Sequence, residues 1–162
     1  YGGSIANRAR LLLEVVDAAA AAVGAGRVGV RISPLNSFND MKDSDPVALT
    51  KHVATELNSR GIAYLHIMRS DFFGLQLGDV VTPARAAFHG VLIGNMGYSP
   101  AEADRAVASG FLNAVGFGHH YVSNPDLVER VRSGATLVEP DAATFYSPGP
   151  LGYTDYPALA AK

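Results

Sequence analysis

Two short apolar segments end in glycines, and both could place backbone N–H groups around a phosphate. They are residues 91–97 (VLIGNMG) and residues 114–120 (AVGFGHH). Each reads as a strand, and a sequence typical of a helix start follows it. Glycine lets the backbone approach an anion closely, and the N-terminus of a helix adds positive potential. A phosphorylated cofactor or substrate is therefore the first functional hypothesis.

The elements that must position these loops alternate between strand and helix patterns. The predicted strands cover residues 28–32, 63–67, 91–93 and 114–117, and the predicted helices cover residues 5–23, 46–59, 84–88, 100–108 and 124–132. Such alternation predicts an α/β fold with a parallel sheet and right-handed crossovers. Residues 140–162 show no periodicity, so we expect them to form a C-terminal tail over the surface of the fold.

Two architectures fit four βα units. They could form half of a (β/α)8 TIM barrel, which usually needs about 250 residues, or a small open doubly wound sheet. The first predicted strand is not followed by a Gly-x-Gly-x-x-Gly turn, which counts against a dinucleotide-binding sheet. Half a barrel would leave two strand edges unpaired and its inner face exposed. We therefore expect a second segment or chain to complete the fold.

Composition narrows the function classes. With 162 residues, 48% of them hydrophobic, the chain suits one folded domain. A net charge of −2 without a basic run argues against nucleic acid, and the apolar stretch 18–23 is too short to span a membrane. The lack of cysteine fits a reducing cytoplasm, and no histidine pair has metal-ligand spacing. His66, within a strand, is expected to be a core histidine with a satisfied hydrogen bond.

Five motifs resemble those of the Old Yellow Enzyme family, in the same order and at the same spacing. They are YGGSxxNRxR at residues 1–10, VGVRISP at 28–34, Phe38-Asn39, NPDL at 124–127 and GYTDYP at 152–157. The matches cover essentially the whole chain and correspond to the second half of the family's barrel. The resemblance implies an FMN-dependent oxidoreductase (an ene-reductase) that passes hydride from NAD(P)H to the β-carbon of an activated alkene. It does not indicate whether the hydride donor is NADH or NADPH.

The resemblance also implies an incomplete active site. Residues 1–162 would be the C-terminal half of one barrel domain, with βα units over 1–139 and the tail over 140–162. The family's proton-donating tyrosine and its His-x-x-His/Asn pair belong to the other half, so we expect no catalytic residue here. The expected partners are the N-terminal half, as a separate chain or segment, and a small alkene. Activity would then require that half.

Cofactor residues follow from the same resemblance. Arg31 matches an arginine that contacts the flavin near N1 and the C2 carbonyl, although a structural arginine paired with a carboxylate is the alternative. Gly94, Asn95, Gly118 and His119 match the cradle of the FMN phosphate. The family usually has arginine where this chain has His119. Arginine is permanently charged, whereas histidine titrates near neutral pH, so we expect weaker, pH-dependent phosphate binding.

Four residues match the substrate side of the family's pocket: Phe38, Asn39, Tyr146 and Tyr153. Simple packing aromatics are the alternative. The loop carboxylates are expected to serve turns and solubility: Asp43, Asp45, Asp71 and Asp79. Two other functions stay open. His119 favours a non-catalytic half-barrel that acts as a structural or regulatory partner, and two half-barrels could also close on each other as a homodimer.

Overall fold

The computed structural model describes residues 1–160. The chain divides into two compact units, residues 1–116 and residues 117 onward. The first unit contains the strands β1 (Gly29–Ile32), β2 (Tyr64–Met68), β3 (Val91–Asn95) and β4 (Ala114–Gly116). Its helices are α1 (Ile5–Val23), α2 (Pro46–Arg60), α3 (Val81–Ala87) and α4 (Pro100–Ala108).

The four strands form one parallel sheet in the order β1-β2-β3-β4. This order follows the chain without a reversal, whereas a doubly wound sheet reverses its strand order at a switch point. Helix α2 packs between α1 and α3, so these helices lie side by side on one face. Sequential parallel strands with helices on one face are the arrangement of a β/α barrel. The strand order excludes the doubly wound alternative.

Helix starts follow the capping signals in the sequence. The Ser4 side chain accepts a hydrogen bond from the third residue of α1, and the Asp45 carboxylate does the same for α2, which opens with Pro46. At α4, Ser99 and Glu102 exchange hydrogen bonds as a complete capping box. The sequence therefore predicts the starts of these three helices correctly.

The core lies between the sheet and the helices. Strand side chains alternate, and those facing the helices are buried: Val30, Leu65, Ile67 and Leu92. The opposite, inner face carries polar groups, with Arg31 beside His66 in the register of β1 and β2. Apolar side chains on this face are partly exposed to solvent: Tyr64 is 39% and Val91 is 44% exposed. An exposed inner layer is what the sequence predicts for half a barrel.

The second unit is held together by buried polar side chains rather than by a sheet. It contains α5 (His119–Ser123) and α6 (Leu127–Ser133). Asn124 is fully buried; its amide donates to the Val138 carbonyl, and its oxygen accepts from the Val138 N–H at 2.8 Å. Arg130 binds the Asp126 carboxylate at 2.7 Å and donates to the Pro157 carbonyl. These contacts tie the tail to the helices of this unit.

Three helices differ from the sequence prediction, and one of them is α6, which begins at Leu127 rather than at residue 124. Helix α5 was not predicted, because five residues are too few for a helical period to show. Helix α3 begins at Val81 rather than at residue 84, because the Asp79 carboxylate accepts hydrogen bonds from the N–H groups of Val81 and Thr82. In the described part of the chain, no helix combines the length and apolar character needed to cross a bilayer.

Candidate functional site

Arg31 presents an unpaired positive charge on the inner face of the sheet. It is the third residue of β1, and alternation turns its side chain away from the helix layer. Arg31 is exposed, and among the described residues its side chain has one hydrogen bond, to the Met68 sulfur at 4.0 Å. No carboxylate within the described residues forms an ion pair with it. The alternative of a structural arginine paired with a carboxylate therefore has no support in this part of the chain.

His66 and Asn95 add two polar groups to the same face. His66 lies beside Arg31 in the register, and Asn95 ends β3. His66 Nε2 and Asn95 Oδ1 are both buried, and neither has a partner at hydrogen-bond geometry among the residues that the structure describes. Burial lowers the pKa of His66 and the charge of Arg31 lowers it further, which outweighs the opposite effect of the neighbouring Asn95 side chain. Within the described residues Nε2 of His66 has no partner at hydrogen-bond geometry, and Asn95 is the polar side chain beside it.

These three groups offer hydrogen-bond donors and acceptors that a polar ring system can bind. Buried donors and acceptors normally find partners, and a guanidinium can bind an electron-rich or anionic edge. A group that offers both donors and acceptors, as FMN does, would satisfy all three. The chemistry of the inner face is thus compatible with the flavin that the sequence predicts.

The packing around β3 requires a residue without a side chain at position 94, which the sequence does not reveal. A Cβ at this position would lie 2.6 Å from Leu112 Cδ1 and 3.1 Å from the Tyr98 hydroxyl. These atoms lie on the helix side of β3, so the glycine makes room for the core. Around Gly118 the space is open, and its φ of −105° is accessible to any residue. The role of both glycines in a phosphate cradle stays a prediction.

Gly94→Ala is expected to destabilise the protein by about 1–3 kcal/mol, because Leu112 must move to admit the methyl group. Gly118→Ala is the matched control and should leave stability within about 0.5 kcal/mol of the wild type. Urea unfolding of the two variants measures the difference. Equal stability of Gly94→Ala and the wild type would contradict the packing role.

The loop after β3 is fixed by an arginine that the sequence analysis did not single out. Met96 and Gly97 both adopt left-handed backbone angles, with φ of 80° and 68°. Arg69 donates to the Met96 carbonyl at 2.8 Å and to the Gly97 carbonyl. Its guanidinium lies 3.7 Å from the Tyr98 ring centre and 3.6 Å from the Glu102 carboxylate. No local sequence signal names these carbonyls as partners.

In the second unit, His119 is the first residue of α5 and its side chain is 59% exposed. Its Nε2 lies 3.5 Å from a Glu139 carboxylate oxygen, and its ring meets Phe145 edge-on. A carboxylate at this distance opposes the binding of a phosphate to the same imidazole. Arg31, Gly94 and Asn95 belong to the first unit, whereas Gly118 and His119 belong to the second.

The predicted pocket residues differ in their surroundings. Phe38 is 49% exposed and stacks on Phe73 with ring centres 6.2 Å apart. Asn39, beside it, has a left-handed φ of 58°. In the second unit, Tyr146 is 97% and Tyr153 54% exposed. Their contact with a ligand stays a prediction.

Asp71 joins the loops that follow β1 and β2. Its buried carboxylate accepts hydrogen bonds from the Ser37 N–H at 2.8 Å, the Ser37 hydroxyl at 2.9 Å, and the N–H groups of Leu75 and Gln76 at 2.7 and 3.1 Å. Burial alone would raise the pKa of this carboxyl, but these hydrogen bonds outweigh it and hold the pKa well below its usual range. Asp71 therefore organises turns, as expected for the loop carboxylates.

No group of three or more His, Cys, Asp or Glu residues that could hold a metal occurs in the described part of the chain.

The chain resembles flavin enzymes in sequence and structure. Residues 1–137 match the model of the NADH:flavin oxidoreductase / NADH oxidase family. A probable flavin mononucleotide-dependent alkene reductase of Leishmania infantum is 53% identical over 98% of this chain and 43% of its own length. The old yellow enzyme from Trypanosoma cruzi has a TM-score of 0.93 and 43% identity, over 96% of this chain and 41% of that one.

Morphinone reductase, solved in complex with tetrahydroNAD, has a TM-score of 0.87 and 43% identity, over 98% of this chain and 43% of that one. The chain thus spans less than half the length of each of these three proteins. Its sequential parallel sheet corresponds to part of their (β/α)8 TIM barrel. The chain belongs to the NADH:flavin oxidoreductase / NADH oxidase family and is of Old Yellow Enzyme type.

Proposed function

We propose that this chain is the C-terminal half of an FMN-dependent ene-reductase, which transfers hydride from NAD(P)H to an activated alkene once the N-terminal half completes the barrel. The observation that carries the proposal is the inner face of the sheet. There Arg31 lies beside His66 without an ion-pair partner among residues 1–160, and within the same residues His66 Nε2 and Asn95 Oδ1 are buried without a hydrogen-bond partner. Membership of the NADH:flavin oxidoreductase / NADH oxidase family supports a flavin as the bound cofactor.

FMN would supply the hydride chemistry, and the residues of this chain would bind and tune it. Arg31 would hold the ring edge on which negative charge develops, because a fixed cation in a poorly solvated site stabilises such charge. The phosphate would be held by Gly94, Asn95, Gly118 and His119. The substrate side would be formed by Phe38, Asn39, Tyr146 and Tyr153.

The nicotinamide donor is supported by a relative, since morphinone reductase has been solved with tetrahydroNAD. The need for a second half is supported by the sheet itself. In the described residues β1 pairs only with β2, and β4 pairs only with β3, so both outer strands keep an open edge. Tyr64 and Val91 on the inner face are also partly exposed. A polypeptide that supplies the other strands would cover both features.

Co-expression with the N-terminal half of the Leishmania relative tests this proposal. We expect a yellow complex that contains FMN, oxidises NAD(P)H and saturates the double bond of an activated alkene. The matched control is the same chain co-expressed with half of a β/α barrel that does not bind flavin, which should remain colourless. A complex that forms with the family half but is colourless and inert would refute the catalytic proposal.

That last outcome would favour the second candidate, a non-catalytic half-barrel that acts as a structural or regulatory partner. The contact of His119 with Glu139 favours it, because a carboxylate 3.5 Å from the imidazole opposes the binding of a phosphate there. Light scattering on the chain alone tests the homodimer of half-barrels, since it separates a mass of 17.0 kDa from twice that value.

A further inference from the structure

Arg69 fixes the backbone of the loop that follows β3. It donates to the carbonyls of Met96 and Gly97, and its guanidinium stacks on the Tyr98 ring. Met96 is one of few non-glycine residues here with positive φ, a conformation that needs support from its surroundings. The Glu102 carboxylate at 3.6 Å offsets the charge of Arg69. Arg69 therefore acts on the loop mainly through geometry.

The direction of these two carbonyls determines where the next N–H groups point. In a trans peptide the C=O and the following N–H point in opposite directions, and the described chain has no cis peptide bond. Because the Met96 and Gly97 carbonyls point at Arg69, the N–H groups of Gly97 and Tyr98 point away from it. Neither N–H donates a hydrogen bond within the described residues. Two consecutive N–H groups of this kind can bind an anion.

Arg69 lies on the helix side of the sheet. It follows Met68, whose side chain reaches Arg31 on the inner face, so alternation turns Arg69 outward. Its stacking partner Tyr98 also lies outward, because its hydroxyl is 3.1 Å from the outward Cβ position of Gly94. The N–H groups of Gly97 and Tyr98 thus point away from the helix side, where Arg69 and Tyr98 pack.

We propose that Arg69 is a positioning residue for anion binding: it holds the loop after β3 so that the N–H groups of Gly97 and Tyr98 face the phosphate of the cofactor. This inference rests on the proposed function, since it concerns FMN in the completed barrel. It extends the phosphate site beyond the four residues predicted from sequence. It also gives the site donors that do not depend on His119.

Comparison of FMN with riboflavin tests this inference, because riboflavin lacks the phosphate. In the completed barrel, Arg69→Met is expected to raise the Kd for FMN about tenfold or more and to leave the Kd for riboflavin unchanged. Quenching of flavin fluorescence measures both constants. Arg69→Lys should not restore FMN affinity. Lysine keeps the positive charge, but it lacks the planar guanidinium that donates to both carbonyls at once.

Arg85 provides a matched control at the other end of the same strand. It donates to the carbonyls of Phe88 and Gly90 just before β3 begins. Arg85→Met should leave the preference for FMN over riboflavin as it is in the wild type. Gly97→Ala is a second test variant that should keep the fold, because a Cβ there would meet only Arg69 Nη2 at 3.7 Å. Its φ of 68° disfavours alanine, so the FMN preference should fall.

The outcomes separate the two proposals. If the wild-type complex binds neither flavin, the proposed function fails, and this inference fails with it. If the wild type binds FMN more tightly than riboflavin, but Arg69→Met and Gly97→Ala keep that preference, only the present inference fails. An equal loss for both flavins in both variants would also overturn it, because the loop would then affect the whole site rather than the phosphate.

Discussion

Replacement of Arg31 by methionine in the completed barrel is expected to lower NAD(P)H-dependent alkene reduction about 100-fold or more. Arg31 is the one guanidinium that the described residues leave unpaired on the inner face, beside His66. A cation there favours a flavin ring that carries negative charge, so its removal should also lower the midpoint potential of the bound cofactor. Stopped-flow kinetics and a reductive titration measure the two effects.

The fold should tolerate this change, because within the described residues the guanidinium of Arg31 forms one hydrogen bond, to the Met68 sulfur. Arg27→Met is the matched control: Arg27 is exposed and lies just before the amino end of the same strand, away from the site. That variant should reduce the alkene at the wild-type rate. Arg31→Lys should reduce the alkene at a rate between those of Arg31→Met and the wild type, because lysine keeps the charge but not the planar guanidinium. Wild-type activity and potential in Arg31→Met would remove Arg31 from the proposed site.

The parts of the fold that the sequence predicts are those set by residues near one another in the chain, such as helix ends and strand alternation. Caps such as Ser4 and Ser99 fix helix starts, and glycines such as Gly61, with a φ of 62°, end helices. Alternation within β1 predicts that Arg31 and Val30 face opposite sides, which the burial of Val30 confirms. These features depend on residues close in sequence, so a single sequence reveals them.

The contacts that the sequence does not reveal join residues far apart in the chain. Arg69 binds carbonyls 27 and 28 residues away, and Asp71 binds Ser37 across 34 residues. The outward packing of Gly94 against Leu112 likewise depends on how β3 meets the next loop. From the sequence alone, Gly94 is predicted to contact a phosphate and Asp71 is predicted to stabilise a turn. Only the folded chain shows that Asp71 joins two loops and that Gly94 has a steric reason.

Asp71→Asn is expected to lower the unfolding temperature at neutral pH by about 5 °C or more. The carboxylate accepts from Ser37, Leu75 and Gln76, whereas an amide offers one acceptor atom and places an NH2 group against N–H donors. The loops after β1 and β2 should loosen together, and with them the stacked Phe38 and Phe73. Amide hydrogen exchange at Leu75 and Gln76 should accelerate in the variant.

The pH dependence of stability gives the sharper test of Asp71. Its pKa is depressed in the folded state, so its stabilisation is complete above the unfolded value of about 4 and is lost as the pH falls below it. The difference in stability between wild type and Asp71→Asn should thus narrow between pH 6 and about pH 3. Asp40→Asn, in the same loop region, should match the wild type at both values, because Asp40 is exposed and its left-handed φ of 59° also suits asparagine. A difference that stays constant with pH would mean that Asp71 acts through packing rather than through its charge.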